Sequence, residues 1–476
     1  MPAHRIEHDL LGDIAVPESA YFGAQTARAI ALVNPSGTML RDLSELVVAI
    51  CQVKHAAATT HAELGVIDPP IAEAISAAAT EVVDGALREH FVVDVLTGGG
   101  GTALHMNVNE VLARRASELS GIDIHPNTHV NMGQSTNDVI PTALSMMTAR
   151  LLDDVCASLD PLIAATADVA AATSSVVKVA RTCLQDAVPM TLGQALGAHV
   201  SALKRQRANL ERVASSALSV PLGATAVGTG LGAHAGYQPR VLEHLATISG
   251  QAVTAADDLF DALAHADAHL DVAATLKSTG FSIAKLAKDL RIMSSGPRAG
   301  IAEISLAPTQ SGSSIMPGKV NPALPEMMVM AAHRLAGNET AVALAVSDAE
   351  LDLNVWEPTV IHAVAESCNL LTTTVPVFAE HCVAKITANV DRCRSMAEQS
   401  LALAVVVSAL EGYETGAAVA ERAAALDCSI GDAAIELGVL NAEQVATLLD
   451  PLTLTDPERS ADLLTTLSLA SRSARS

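Results

Sequence analysis

Two adjacent serines and a lysine, Ser313, Ser314 and Lys319, stand between glycines and prolines in SGSSIMPGKVNP, residues 311–322. Three further polar islands interrupt an otherwise aliphatic chain: LTGGGGTALHMN (96–107), NMGQSTND (131–138) and RTCLQDAVP (181–189). They offer Thr102, Ser135, Thr136, Asn137, Thr182 and Cys183 as hydroxyl, amide and thiol groups. Each island precedes a helical pattern, and a helix N-terminus presents free N–H groups and a partial positive charge to an anion. Asn321 is placed to cap a helix whose first turn holds Pro322 and Pro325, and Asn137 or Asp138 to cap one ahead of Pro141. If the islands converge, they line a pocket of hydroxyls, backbone donors and one lysine, which suits a small carboxylate.

Other chemistries fit these residues less well. Gly312 to Val320 reads GxxxxxGKV, one residue too long for a phosphate-binding P-loop and lacking its magnesium-binding Ser or Thr after the lysine. An ordinary surface loop with a helix cap is the plainer reading. The GGGGT run at 98–102 has no strand before it, so a dinucleotide site is not expected. His265 and His269 flank Asp267 in HADAH at a spacing that could clamp a metal, but a third ligand is missing and a solvated helix face is expected. His125 and His129 in HPNTHVN could meet an anion or could only structure their loop. Cys183 could be a nucleophile, but a small pocket-wall residue is the plainer reading.

The elements that must position these groups are read as helices. The chain has 476 residues, half of them apolar but only 2% aromatic, so its core is built from small aliphatic side chains that favour close helix packing. Segments 43–64 and 283–293 carry apolar residues at three- and four-residue spacing, and no glycine occurs in 138–180 or 338–411, which read as long helices. Prolines 141, 161, 358 and 376 are expected to start or interrupt helices. Sustained alternation is missing, so little sheet is expected. An all-α fold follows. The net charge of -23 argues against nucleic acid and anionic membrane as partners. Seven cysteines without a CxxC pair, and an N-terminus without the apolar core of a signal peptide, point to a cytoplasmic location. A mean hydropathy of +0.34 suggests helix faces buried between subunits.

Taken in order, the islands resemble the aspartase/fumarase superfamily. SGSSIMPGKVNP matches its signature loop almost residue for residue, and the likeness extends through RIEHDLLGDIAVP, GTALHMNVNEV, HVNMGQSTND, LGATAVGTGL and LRIMSSGPRAG across nearly the whole chain. LQDAVPMTLGQ, LGATAVGTGL and LDLNVWEP lean toward aspartate ammonia-lyases, whereas Gln25 in FGAQT leans toward fumarases. The resemblance implies a three-domain helical subunit divided at 1–136, 137–391 and 392–476. The central long-helix bundle would form a tetrameric core, and each active site would draw on three subunits. No cofactor and no metal are expected.

The resemblance also implies roles. Ser313 is the base that removes a Cβ proton, helped by Lys319 and loop N–H groups; Lys319 and Asn321 hold one carboxylate. Thr102, Ser135, Thr136 and Ser314 donate to the other carboxylate, Asn137 and Thr182 orient the amino group, and Glu326 supports the loop from behind. Cys183 departs from the His or Gln common in relatives, and Gly100, Leu104 and His105 stand where Ser, a small polar residue and Asn are more usual. SALEGYETG (408–416) replaces a segment that helps close the family's site. The expected activity is ammonia elimination from L-aspartate or a close analogue. A fumarate hydratase or other fumarate-releasing lyase is the alternative, and a degenerate scaffold paralogue the third reading.

Overall fold

A computed structural model describes residues 3–32, 34–462 and 465 of the chain. Helices dominate, and the fold is all-α. Its longest helices span Ser44–Glu63, Thr102–Ser120, Thr136–Ala172, Leu192–Ala217, Asp267–Met293, Ala323–Ser347 and Glu357–His381. In Ser44–Glu63 the three- and four-residue spacing buries Leu46, Val47, Ile50, Val53 and Ala57 on one side.

The two glycine-free stretches behave differently. The first supplies most of the single 37-residue helix Thr136–Ala172. The second is broken after Ser347, because polar side chains capture the carbonyls that another turn would use: Asn354 Nδ2 donates to Ala345 O (3.2 Å) and Trp356 Nε1 to Asp348 O (2.8 Å). Proline placement also corrects the sequence reading. Pro161 and Pro376 lie inside helices that run on past them. Tertiary packing therefore outweighs the roughly 3 kcal/mol that an interior proline costs.

Contacts group the chain into two compact units. One comprises Met1–Ala157, Gln206–Gly280 and Ala331–Thr373. It opens with an antiparallel hairpin, His4–Asp9 against Gly12–Pro17, whose alternating burial answers an alternation in RIEHD and GDIAV that is a strand pattern after all. Arg28 clamps the hairpin through Asp9 (2.8 and 2.9 Å) and Gly12 O (2.7 Å). In the same unit Gly280 lets two helices touch, since a Cβ there would come within 2.3 Å of Leu335 Cδ1.

The other unit comprises Ser158–Arg205, Phe281–Met330 and Thr374–Ser476. Its hairpin, Val177–Thr182 against Gln185–Thr191, is anchored by the fully buried Glu303, which lies 2.7 Å from Arg181 and 3.4 Å from Lys178. A small aliphatic core that includes Val407, Val419, Ile430 and Leu448 holds its C-terminal helices together. The helix Thr136–Ala172 is long and apolar enough to cross a bilayer, with a window of mean hydropathy 1.4, but half of that window is buried by the rest of the chain.

Candidate active site

In the first unit the serine of NMGQSTND, rather than Asn137 or Asp138, caps the helix Thr136–Ala172. Ser135 Oγ accepts from Asn137 N (3.2 Å), and Ser135 N donates back to Asp138 Oδ1 (2.9 Å). Asp138 is fully buried and its other oxygen accepts from Gly223 N (3.1 Å) and Thr225 N (2.9 Å). Burial raises the Asp138 carboxyl to about 6 against these hydrogen bonds. Asn137 Nδ2 donates to Ala226 O (2.7 Å), so its Oδ1 is left to accept from a ligand. Thr102 opens the helix Thr102–Ser120, exposed, with its hydroxyl turned back onto Gly99 O at 2.7 Å.

Behind Thr136 lies a buried polar chain. Thr136 Oγ1 is 2.9 Å from His105 Nδ1, and His105 Nε2 is 2.5 Å from Lys54 Nζ. Lys54 also donates to Asn131 Oδ1 and Gln134 Oε1, both at 2.9 Å. Burial lowers the Lys54 ammonium to about 7 and pushes His105 well below the usual imidazole range.

The second unit carries the remaining expected residues. Residues 312–321 form a ring: Gly312 N donates to Lys319 O (2.9 Å), and Asn321 Nδ2 donates to Gly312 O (2.9 Å). Asn321 thus ties the loop instead of capping the helix Ala323–Ser347 with its side chain. Gly312 is required where it stands, because a Cβ would lie 2.7 Å from both Asn321 N and Lys319 O. Inside the ring Ser313 Oγ accepts from Ile315 N (3.2 Å) and Met316 N (3.0 Å). Lys319 is exposed, and among the described residues its ammonium has no hydrogen bond or ion pair; Ser314 is exposed as well. Glu326 pairs with Arg291 at 3.3 Å.

Thr182 pairs with Gln185 across a two-residue hairpin loop. Both loop residues, Cys183 and Leu184, have left-handed φ of 54° and 61°, a turn that Asn-Gly normally fills. Leu184 is also exposed, so the loop carries both backbone strain and an uncovered apolar side chain. The histidine readings also resolve. His265 sits outside the helix Asp267–Met293 and bonds Asp261 (2.8 Å), while His269 is buried inside it, so the two do not share a helix face. His125 Nδ1 accepts from Asn127 N and Thr128 N at 3.2 Å each, and His129 Nδ1 accepts from His125 N at 2.9 Å. Both rings structure their loop.

A family model described as Lyase matches residues 12–337. The chain belongs to this lyase family. Aspartate ammonia-lyase of Pseudomonas aeruginosa is 43% identical to it over 459 residues, 95% of each chain. Class II fumarate hydratase of Nitrosomonas europaea is 40% identical over 463 residues, 96% of this chain and all of that one. The crystal structure of a fumarate lyase:delta crystallin from Brucella melitensis bound to cobalt superposes with a TM-score of 0.93 at 40% identity, covering 96% of this chain and 100% of that one. These similarities place the lyase in the aspartase/fumarase superfamily, as its motifs imply.

In the sequence of this lyase nothing links Lys54 to the polar islands' hydroxyls, yet in the fold Lys54 reaches Thr136 through His105, and Asp138, within an island, accepts from Ser135 N. Lys54 stands mid-helix in AICQVKHAAATT, where a lysine reads as a solvated face, yet it is 0% exposed. Its signal was the apolar and small residues on both sides.

Proposed function

We propose that this lyase eliminates ammonia from L-aspartate or a close analogue to give fumarate, acting as a carbon–nitrogen lyase. The observation that carries the reading is the Ser313 oxygen, held by two backbone N–H groups in a closed ring that includes Lys319, whose ammonium has no partner among the described residues. A serine hydroxyl is too weakly acidic to act as a base unaided. N–H groups already aimed at its oxygen stabilise the alkoxide that must form.

In this mechanism Ser313 first gives up its hydroxyl proton to solvent and then, as the alkoxide, takes the proton from Cβ, and the electron pair moves onto the adjacent carboxylate as an enediolate. When the enediolate collapses, the C–N bond breaks, its pair leaves on nitrogen as ammonia, and the Cα–Cβ double bond of fumarate forms. Charge builds up on the Cβ-side carboxylate, where Thr102, Ser135, Thr136 and Ser314 serve as donors; Thr102 must first turn its hydroxyl from Gly99. Lys319, without a partner among the described residues, and Asn321 grip the α-carboxylate. Asn137 Oδ1 and Thr182 take the ammonium, with Cys183 as pocket wall, and Glu326, paired with Arg291, supports the first turn of the helix that follows the loop.

Water elimination from malate is the second reading, favoured by the fumarate hydratase relative at 40% identity. Cys183 weighs against it, because a thiol cannot replace the imidazole that fumarases use to handle water. We further infer a cytoplasmic homotetramer whose sites are completed across subunits, with the three-part division at 136 and 391. Exposed apolar residues on the long helices support it, including Phe281, Met330 and Leu344. The test is fumarate absorbance on incubation with aspartate, malate and N-substituted aspartates. Aspartate turnover without malate turnover supports the assignment, and the reverse overturns it. Ser313→Ala is expected to keep a native mass four times 48.9 kDa while losing several orders of magnitude in turnover. Retained activity would remove Ser313 from the role of base.

A further inference from the structure

The chain Lys54–His105–Thr136 has only one consistent assignment of protons while Lys54 is charged. An ammonium has three donors and no acceptor. Its three neighbours are His105 Nε2, Asn131 Oδ1 and Gln134 Oε1. The amides are fixed with their oxygens toward Lys54, because Asn131 Nδ2 donates to Gln134 O (3.3 Å) and Gln134 Nε2 donates to Val130 O and Met132 O (both 3.1 Å). His105 Nε2 must therefore accept, its proton resides on Nδ1, and Nδ1–H donates to Thr136 Oγ1. The Thr136 hydroxyl proton is left over and points to whatever else lies near this partly exposed side chain.

Removing one proton from Lys54 inverts every bond in the chain. The amine keeps two protons for the amides and turns a lone pair to His105. The ring then carries its proton on Nε2, Nδ1 becomes an acceptor, and it draws in the Thr136 proton. Only lone pairs remain on the outer side of Thr136. The exchange balances: one proton leaves to solvent and one moves between the two ring nitrogens.

We propose that His105 is a positioning residue of a polarity relay, through which the proton on Lys54 decides whether the Thr136 hydroxyl meets a substrate carboxylate as donor or as acceptor. This rests on the reading of Thr136 as part of a carboxylate subsite. The relay works within reach of neutral pH, since burial brings Lys54 to about 7. The titratable groups around it are Cys51 and His61 on its own helix, His105 on Thr102–Ser120, and Asp138 on Thr136–Ala172. Tyr237 and His234 adjoin it through Asp138 and His61. Ionised Asp138 favours the charged lysine, buried Cys51 keeps its thiol proton with a value near 12, and Tyr237 stays neutral.

The probe is succinate, which carries neither amine nor hydroxyl, so the outcome does not depend on which group the enzyme eliminates. Calorimetric affinity of the full-length protein is measured from pH 6.5 to 8.5. The wild type is expected to weaken about tenfold across this range as Thr136 ceases to donate. His105→Asn supplies a side-chain amide of fixed polarity, with its oxygen toward Lys54 and its N–H toward Thr136. Its affinity should stay at the low-pH level throughout. His105→Leu should be weak at every pH. Should His105→Asn misfold by circular dichroism, Thr136→Val takes its place and should give a flat, weak profile. A wild-type profile without slope, or a slope that survives in either variant, overturns the relay. Absence of succinate binding by the wild type at every pH overturns the dicarboxylate reading and the relay with it.

Discussion

Replacing Asp138 by Asn is expected to separate binding from stability. The ionised carboxylate is uncomfortable where it sits. Its rise from 3.8 to about 6 corresponds to about 3 kcal/mol that folding forfeits at pH 7, at about 1.4 kcal/mol per unit. An amide escapes that cost but can accept with one oxygen only. Placing its nitrogen at the Oδ1 position opposes a single N–H, that of Ser135, whereas placing it at Oδ2 opposes both Gly223 and Thr225. The first orientation wins. Losing the Ser135 bond costs about 1–2 kcal/mol, and weakening the other two from charged to neutral acceptors costs about 1 kcal/mol more. The two sides nearly cancel, so calorimetry should find Tm moved by less than about 3 °C.

The sign with pH is also fixed. A carboxyl whose folded value is raised contributes its full stability below 3.8 and loses it as pH rises through about 6. Stability of Asp138→Asn relative to wild type should therefore improve by up to about 3 kcal/mol from pH 4 to 8. Succinate affinity should nonetheless fall about tenfold or more, because the Ser135 bond that closes the capping turn is gone and Lys54 has lost its counter-charge. A Tm loss above about 10 °C would refute the cancellation, and unchanged affinity would refute the role assigned to the turn.

Gly312→Ala should leave the fold intact by circular dichroism but lower turnover at least a hundredfold, since the added Cβ collides with backbone at 2.7 Å and opens the ring that presents Ser313. His61 and His269 are both buried and held neutral by burial, each lowered from 6.5 to about 4. Depressed values contribute stability that is full above about 6.5 and lost as pH falls through 4. Acid unfolding monitored between pH 7 and 4 should show it, at up to about 3 kcal/mol per group. His269→Leu should flatten part of that slope; an unchanged slope would assign the acid lability to other groups.

What the sequence disclosed follows from what each signal depends on. The helix over 136–172 was legible because its missing glycines and apolar spacing are local properties. The hairpin at 4–17 is not distinct in the sequence, because its alternation covers only six residues on each side of a tight turn. SGSSIMPGKVNP stood out by composition, but its ring did not, since the Gly312–Lys319 and Gly312–Asn321 bonds depend on where the loop folds back. Lys54 and His105 lie 51 residues apart, on helices that each look ordinary, and only tertiary packing makes them partners. The sequence offers Asn137 or Asp138 as a helix cap. The three donors to Asp138 come from two separate segments, one of them more than 80 residues away, which no window of sequence contains.

In the proposed mechanism, the ring around Ser313 has a consequence for how the base reaches its task. Each hydrogen bond that fixes the serine oxygen begins and ends within residues 311–321. Whatever path the segment follows, it carries its own acid-strengthening environment along. The entropy of arranging donors around the oxygen is spent when the chain folds, not each time a substrate arrives. Selection can therefore alter the residues on either side of the loop, and with them the molecule that is held, without rebuilding the group proposed to take the proton.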